Sequence, residues 1–182
     1  KTNYKNNMSD FKQNIIEVKS NIDKYLIKTP VLRFDLIDSL CNSEVFFKCE
    51  NFQHTGSFKY RAALNAIKNI PYDFKKRGVI THSSGNFALA LSRASHELNI
   101  PCYIIMPSNT PDFKKKSVLK YTNNIIECEP NLNAREQTTK TVMKEKNLFF
   151  LHPSNNMDVI LGNSSCACEF IEDYPNLDFI FS

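Results

Sequence analysis

The most informative segment of the chain is Cys49-Glu50-Asn51-Phe52-Gln53-His54-Thr55-Gly56-Ser57-Phe58-Lys59-Tyr60-Arg61. The residues just before it, Val45-Phe46-Phe47-Lys48-Cys49, read as a buried strand, and Thr55-Gly56-Ser57 as a turn ending in a helix N-cap. Ala62-Ala63-Leu64-Asn65-Ala66-Ile67 carries the helix onward. Lys59 therefore falls just inside a helix start at a strand-to-helix junction, which is where α/β sheets place their ligands. Shielding from water lowers an amine's pKa, and a neutral amine can form a Schiff base. On spacing alone, an exposed lysine of a first helical turn is the simpler reading.

A second junction follows. Gly78-Val79-Ile80-Thr81-His82 reads as a strand, Ser83-Ser84-Gly85-Asn86 as a turn, and Phe87 to Ala94 as a helix. The free N–H groups and positive dipole end of that helix suit a carboxylate, although such a turn is also an ordinary capped loop. Outward from these two junctions the chain alternates. Strands are predicted over 45–49, 78–82, 102–106, 124–128, 148–151 and 177–181. Helices are predicted over 10–26, 57–69, 85–98, 111–121, 132–146 and 158–173. This alternation predicts an α/β fold, a mainly parallel sheet with flanking helices. Residues 1–9 are polar and Asn-rich and are expected to form a disordered tail.

Composition narrows the function. The chain has 182 residues, 42% of them hydrophobic, enough for a core of its own. Its 23 basic and 19 acidic residues leave a formal charge of +4, too small to argue for nucleic acid. Lys114-Lys115-Lys116 reads as a solvated helix face. The six cysteines include no CxxC pair and several fall in predicted strands, so buried reduced thiols are expected, and with them a cytoplasmic setting. No signal peptide or membrane-spanning run is evident.

Taken together, the two junctions resemble the serine racemase / serine-threonine dehydratase family of fold-type II pyridoxal-phosphate enzymes, whose fold is tryptophan synthase β-like. The likeness continues through Ile100-Pro101-Cys102-Tyr103-Ile104-Ile105-Met106-Pro107, Ala134-Arg135-Glu136, His152-Pro153 and Val159-Ile160-Leu161-Gly162. The resemblance implies pyridoxal 5'-phosphate as cofactor and a small hydroxy amino acid as substrate, with L-serine converted to D-serine or to pyruvate and ammonia. Lys59 would hold the cofactor and serve as the first base, with Phe58 and Asn86 also at the cofactor. Ser83, Ser84, Gly85 and Asn86 would cradle the substrate carboxylate, joined by Arg135 on closure. Ser84 would be the acid/base group on the opposite face from Lys59, which leans the reading toward racemisation.

The same resemblance implies a large domain over 10–74, a small α/β domain over 75–150 and re-entry into the large domain over 151–182. It also implies a homodimer, and a phosphate loop and divalent-metal (Mg) site beyond Ser182, so that the sequence is expected to be a truncated N-terminal half. Several positions depart from the pattern. Phe87 stands for histidine, Ala62 for glycine, Ala88 and Leu89 for a small residue and glutamine, and Gly162-Asn163-Ser164-Ser165 for Gly-x-Gly-Thr. They favour an alternative, a catalytically inactive remnant or regulatory homologue. Another reaction of the same fold is a weaker third.

Overall fold

Backbone hydrogen bonding in the computed structural model, which describes residues 8–181, follows the predicted alternation over most of its length. Helix α1 (Met8–Ile22) turns Val18 and Ile22 into the core and ends in a 3-10 turn, Asp23–Tyr25. Of the tail predicted disordered over 1–9, residues 1–7 lie outside the described residues, and Met8 and Ser9 open α1. Then come β1 (Val31–Leu32), α2 (Asp35–Cys41), β2 (Phe47–Lys48), α3 (Lys59–Lys68), α4 (Tyr72–Arg77), β3 (Val79–His82) and α5 (Asn86–Glu97). The chain goes on through β4 (Cys102–Pro107), α6 (Asp112–Leu119), β5 (Ile125–Cys128), α7 (Leu132–Lys146), β6 (Phe149–Phe150) and α8 (Met157–Asp173).

Four strands form one parallel sheet in the order β5-β4-β3-β6. Val79 pairs with Cys102 on one side and with Phe149 on the other, and Ile104 pairs with Ile125. All four residues of β3 are buried, as befits a central parallel strand covered on both faces. Side chains alternate along β4: Cys102, Ile104 and Met106 enter the larger core, while Ile105 joins Ile80, Val142 and Leu148 in a second core under α7. In the larger core, α3 packs between α5 and α8, with α1 laid against α8. Gly78 permits β3 to start. Its φ is +109°, and a Cβ there would lie 2.4 Å from the Pro101 carbonyl oxygen.

The structure corrects several expectations. The strand predicted over 45–49 shrinks to β2, which pairs antiparallel with β1 as a separate two-stranded ribbon. Its chain turns away at once, because Cys49 donates its N–H to Pro30 and a 3-10 turn begins at Glu50. Residues 177–181, predicted as a strand, form none. No neighbouring strand among the described residues offers a ladder, and Phe179 and Phe181 stay 78% and 92% exposed. Two short helices, α2 and α4, were not anticipated. Each is closed by a residue at positive φ, Asn42 and Gly78. Of the six cysteines, all unbonded, Cys102 and Cys128 are buried, Cys49, Cys166 and Cys168 are half-buried, and Cys41 is exposed. Among the described residues no helix is long and apolar enough to cross a membrane.

Candidate active site

In the parallel sheet the chain winds from β3 to β4 to β5, then returns to lay β6 on the far side of β3. The direction of winding therefore reverses between β3 and β6. At such a point the loops leaving the two strands part, and a crevice opens at their C-terminal ends. The loop leaving β3 is Ser83-Ser84-Gly85, which opens α5, and the one leaving β6 is Leu151-His152-Pro153.

The β3 side leaves backbone donors open. Gly85 is the N-cap of α5, and no side chain caps the helix, so its leading N–H groups are left for a ligand. A Cβ built on Gly85 would meet nothing within 4 Å. The Ser83 hydroxyl accepts from the Gly85 N–H at 3.3 Å and shapes the loop. Ser83 and Ser84 are half-buried, and Gly85 and Asn86 are exposed. Phe87 turns the other way, into the larger core, where it is 3% exposed.

Two histidines that the sequence reading left without a role flank this loop. His82 ends β3, and its ring lies 5.4 Å from both Phe150 and His152, edge-on to the latter. Burial, and then the positive charge of Arg135, hold the His82 imidazole below its ordinary range. His152 accepts the N–H groups of Ser154 and Asn155 at Nδ1, at 3.1 and 2.8 Å, so its neutral ring carries the proton on Nε2. Arg135, on the first turn of α7, acts electrostatically on His82 and on Cys128 at the end of β5. Its Nε is buried without a partner. What could have revealed these histidines is the sheet order, since strand ends flanking a reversal of winding are ligand positions.

Lys59 begins α3, but not behind the predicted cap. Phe58, not Ser57, is the N-cap, and no side chain bonds the helix end. Ser57 is extended at φ −165° because the preceding 3-10 turn, His54–Gly56, passes through Thr55 at φ +66° and Gly56 at φ +73°. Both hydroxyl oxygens of this turn, Thr55 Oγ1 and Ser57 Oγ, are buried without hydrogen-bond partners. Lys59 is half-buried, its Nζ 4.8 Å from the Phe58 ring centroid, and burial pulls its amine below the ordinary 10.5. Among the described residues it makes no hydrogen bond or ion pair, and none joins it to Ser83–Asn86 or Arg135. The link is helix packing. α5 lies against α3 and against the His54–Gly56 turn, and the Tyr60 hydroxyl donates to Glu97 while Arg93 covers the Tyr60 ring.

A family model described as pyridoxal-phosphate dependent enzyme matches residues 22–182. This chain belongs to that family. It is 39% identical over 170 residues to a serine racemase of Dictyostelium discoideum, covering 93% of this chain and 52% of the relative. It is also 39% identical over 168 residues to a beta-hydroxyaspartate dehydratase of Paracoccus denitrificans, covering 92% and 53%. The crystal structure of the Dictyostelium discoideum serine racemase superposes with a TM-score of 0.86 at 40% identity, over 91% of this chain and 54% of that one. The chain thus spans about half the length of the curated relatives it matches.

The residues present fit the family's cofactor. An aldehyde-bearing phosphate ester needs an unpaired amine and free hydrogen-bond donors. Lys59 is unpaired, two buried hydroxyls in the residues just before it lack partners, and an uncapped helix N-terminus stands open at Gly85.

Proposed function

We propose that this pyridoxal-phosphate dependent enzyme is a serine racemase or serine/threonine dehydratase acting on small hydroxy amino acids, with Lys59 as the amine that anchors the cofactor. The observation that carries the reading is Lys59 itself, which is half-buried, without an ion pair, held below 10.5 by burial, and preceded by a turn with two unpartnered hydroxyls. Pyridoxal phosphate, when bound, supplies an electron sink for charge developing at the substrate's α-carbon.

The chain's own residues do the rest. Lys59 Nζ takes the α-proton from one face, and the Ser84 hydroxyl exchanges a proton on the other. Asn86, through its amide, and Phe58, by contact, would hold the cofactor ring. The leading N–H groups of α5 and the hydroxyls of Ser83 and Ser84 bind the substrate carboxylate, and Arg135 adds a positive charge there. The same proposal divides the chain into a large-domain part over 10–74, a small domain over 75–150 and a return to the large domain from 151, and includes homodimeric assembly and a cytoplasmic setting. The divalent-metal site belongs to the proposal for the whole protein.

Treatment with pyridoxal phosphate and borohydride, followed by peptide mapping, tests the reading. Lys59 is expected to carry the label and Lys48, paired with Glu169, is not. Label spread over surface lysines and absent from Lys59 overturns it.

One observation favours a second reading, a homologue that binds cofactor without turnover. Phe87, where the resemblance calls for histidine, is buried in the core and offers the carboxylate site nothing. Labelling of Lys59 without D-serine or pyruvate from L-serine would select it.

A further inference from the structure

The first turn of α3 carries Lys59, and no side chain caps that end of the helix, although the neighbouring Tyr60 is buried and donates to Glu97. The N-cap makes no side-chain hydrogen bond, and the turn before it contains two successive residues at positive φ. An uncapped end of this kind ordinarily frays. A further restraint lies two residues on. Arg61 is fully buried. It donates from Nε and Nη2 to the two carboxylate oxygens of Glu50, each at 2.8 Å, and from Nη1 to Glu169 of α8 at 3.0 Å. Glu169 also pairs with Lys48 of β2. Lys48 bonds the Thr29 carbonyl at 2.8 Å, and the Thr29 hydroxyl closes the ring by donating to Glu50 at 2.6 Å. Two cations and two carboxylates leave no net charge in the cluster.

A second contact pins the same residues. A Cβ on Gly162 would lie 2.6 Å from Ala62 Cα and 2.7 Å from the Arg61 carbonyl oxygen, so the backbones of α8 and α3 touch there. Buried ion clusters add little net stability over well-packed apolar side chains, but they permit one geometry. Two residues are about 200° of helix rotation. Arg61 and Lys59 therefore leave α3 on nearly opposite sides, one into the clamp and one away from it.

We propose that Arg61, clamped by Glu50 and Glu169, is the positioning residue that fixes the Lys59 amine in the site, in place of a helix cap. This rests on reading Lys59 as the cofactor-anchoring amine. Releasing one arm of the clamp should let the first turn of α3 move and change where the amine sits.

Three variants test it. Glu50→Gln keeps shape but weakens the fork, Arg61→Lys keeps charge but loses it, and Ile104→Val destabilises the sheet core elsewhere. Each is measured for Tm, for the pH profile of Lys59 reductive methylation in the cofactor-free chain, and for pyridoxal phosphate fixed to Lys59 by borohydride. Both clamp variants should lose roughly ten- to a hundredfold in fixed cofactor, the upper figure being what a 1 Å misplacement of a reacting group can cost. Their Lys59 methylation profile should move toward that of the exposed lysines. Ile104→Val should lower Tm and leave both readouts unchanged. Clamp variants that lose Tm but keep the native Lys59 profile and labelling overturn the proposal. If Arg61→Lys does not fold, Glu50→Gln decides alone. If the unsubstituted chain fixes no cofactor on Lys59, the functional reading falls, and the methylation profile still decides whether the clamp positions the amine.

Discussion

Ser84 and Phe87 stand three residues apart at the entry to α5, yet one is half-buried in the loop and the other buried in the core. The chemistry proposed for this site needs a proton exchanged on each face of the substrate's α-carbon for racemisation, but on one face only for dehydration. Ser84→Ala should therefore abolish L-to-D serine interconversion while sparing most pyruvate formation, read by chiral chromatography and a coupled pyruvate assay on the whole enzyme. Equal loss of both would assign Ser84 to carboxylate binding. Thr55 presents a different trade. A β-branched residue at φ +66° stores roughly 1–2 kcal/mol, and its buried hydroxyl has no partner. Thr55→Gly should therefore leave the fold as stable or raise Tm, while weakening cofactor uptake at Lys59. A variant that is both less stable and unchanged in uptake would contradict the role given to this hydroxyl.

Helix α7, capped at both ends by its own residues, was legible, and two elements that depend on distant partners were not. The span of α7 follows directly from its sequence, because Asn131 caps it at 2.8 Å and Asn147 closes it at φ +51°. Strand 177–181 failed because a strand exists only with a neighbour, and β2 failed because its register was set by Pro30 and Val31. The site divides the same way. Lys59 and the Ser83–Asn86 loop stand out as local motifs, whereas His82 and His152 meet only once β6 has paired with β3. The contact between α3 and α8 yields a prediction at this scale. Gly162→Ala must push two backbones apart and should cost about 1–3 kcal/mol, measured by urea unfolding. Acid should act through the same pair of helices. Burial alone would raise the Glu169 carboxyl, but Lys48 and Arg61 hold it below its ordinary 4.5. A carboxylate whose folded value is depressed stabilises above the unfolded value, and that stability is lost as pH falls through the folded one. The urea midpoint should thus drop as pH falls below about 4.5. Glu169→Gln should be weaker by about 3 kcal/mol at neutral pH and lack that part of the acid slope.

At the scale of the whole molecule, two pairs of apolar side chains stand out among the exposed ones of the described residues. Leu36 and Leu40 on α2 are 71% and 75% exposed, and Phe179 and Phe181 more so. Surfaces of this kind favour self-association. Replacing Phe179 and Phe181 with serine should reduce light scattering at high concentration without changing Tm, since neither side chain is packed. The sheet order has a kinetic consequence as well. β3 finds β4 across 23 positions, Val79 to Cys102, but finds β6 across 70, Val79 to Phe149. Closing the longer loop costs more chain entropy, and distant parallel pairings form slowly. On a ribosome, the Ser83–Asn86 loop would emerge and fold long before His152 arrived beside it. The two walls of the crevice are therefore separated in time as well as in sequence.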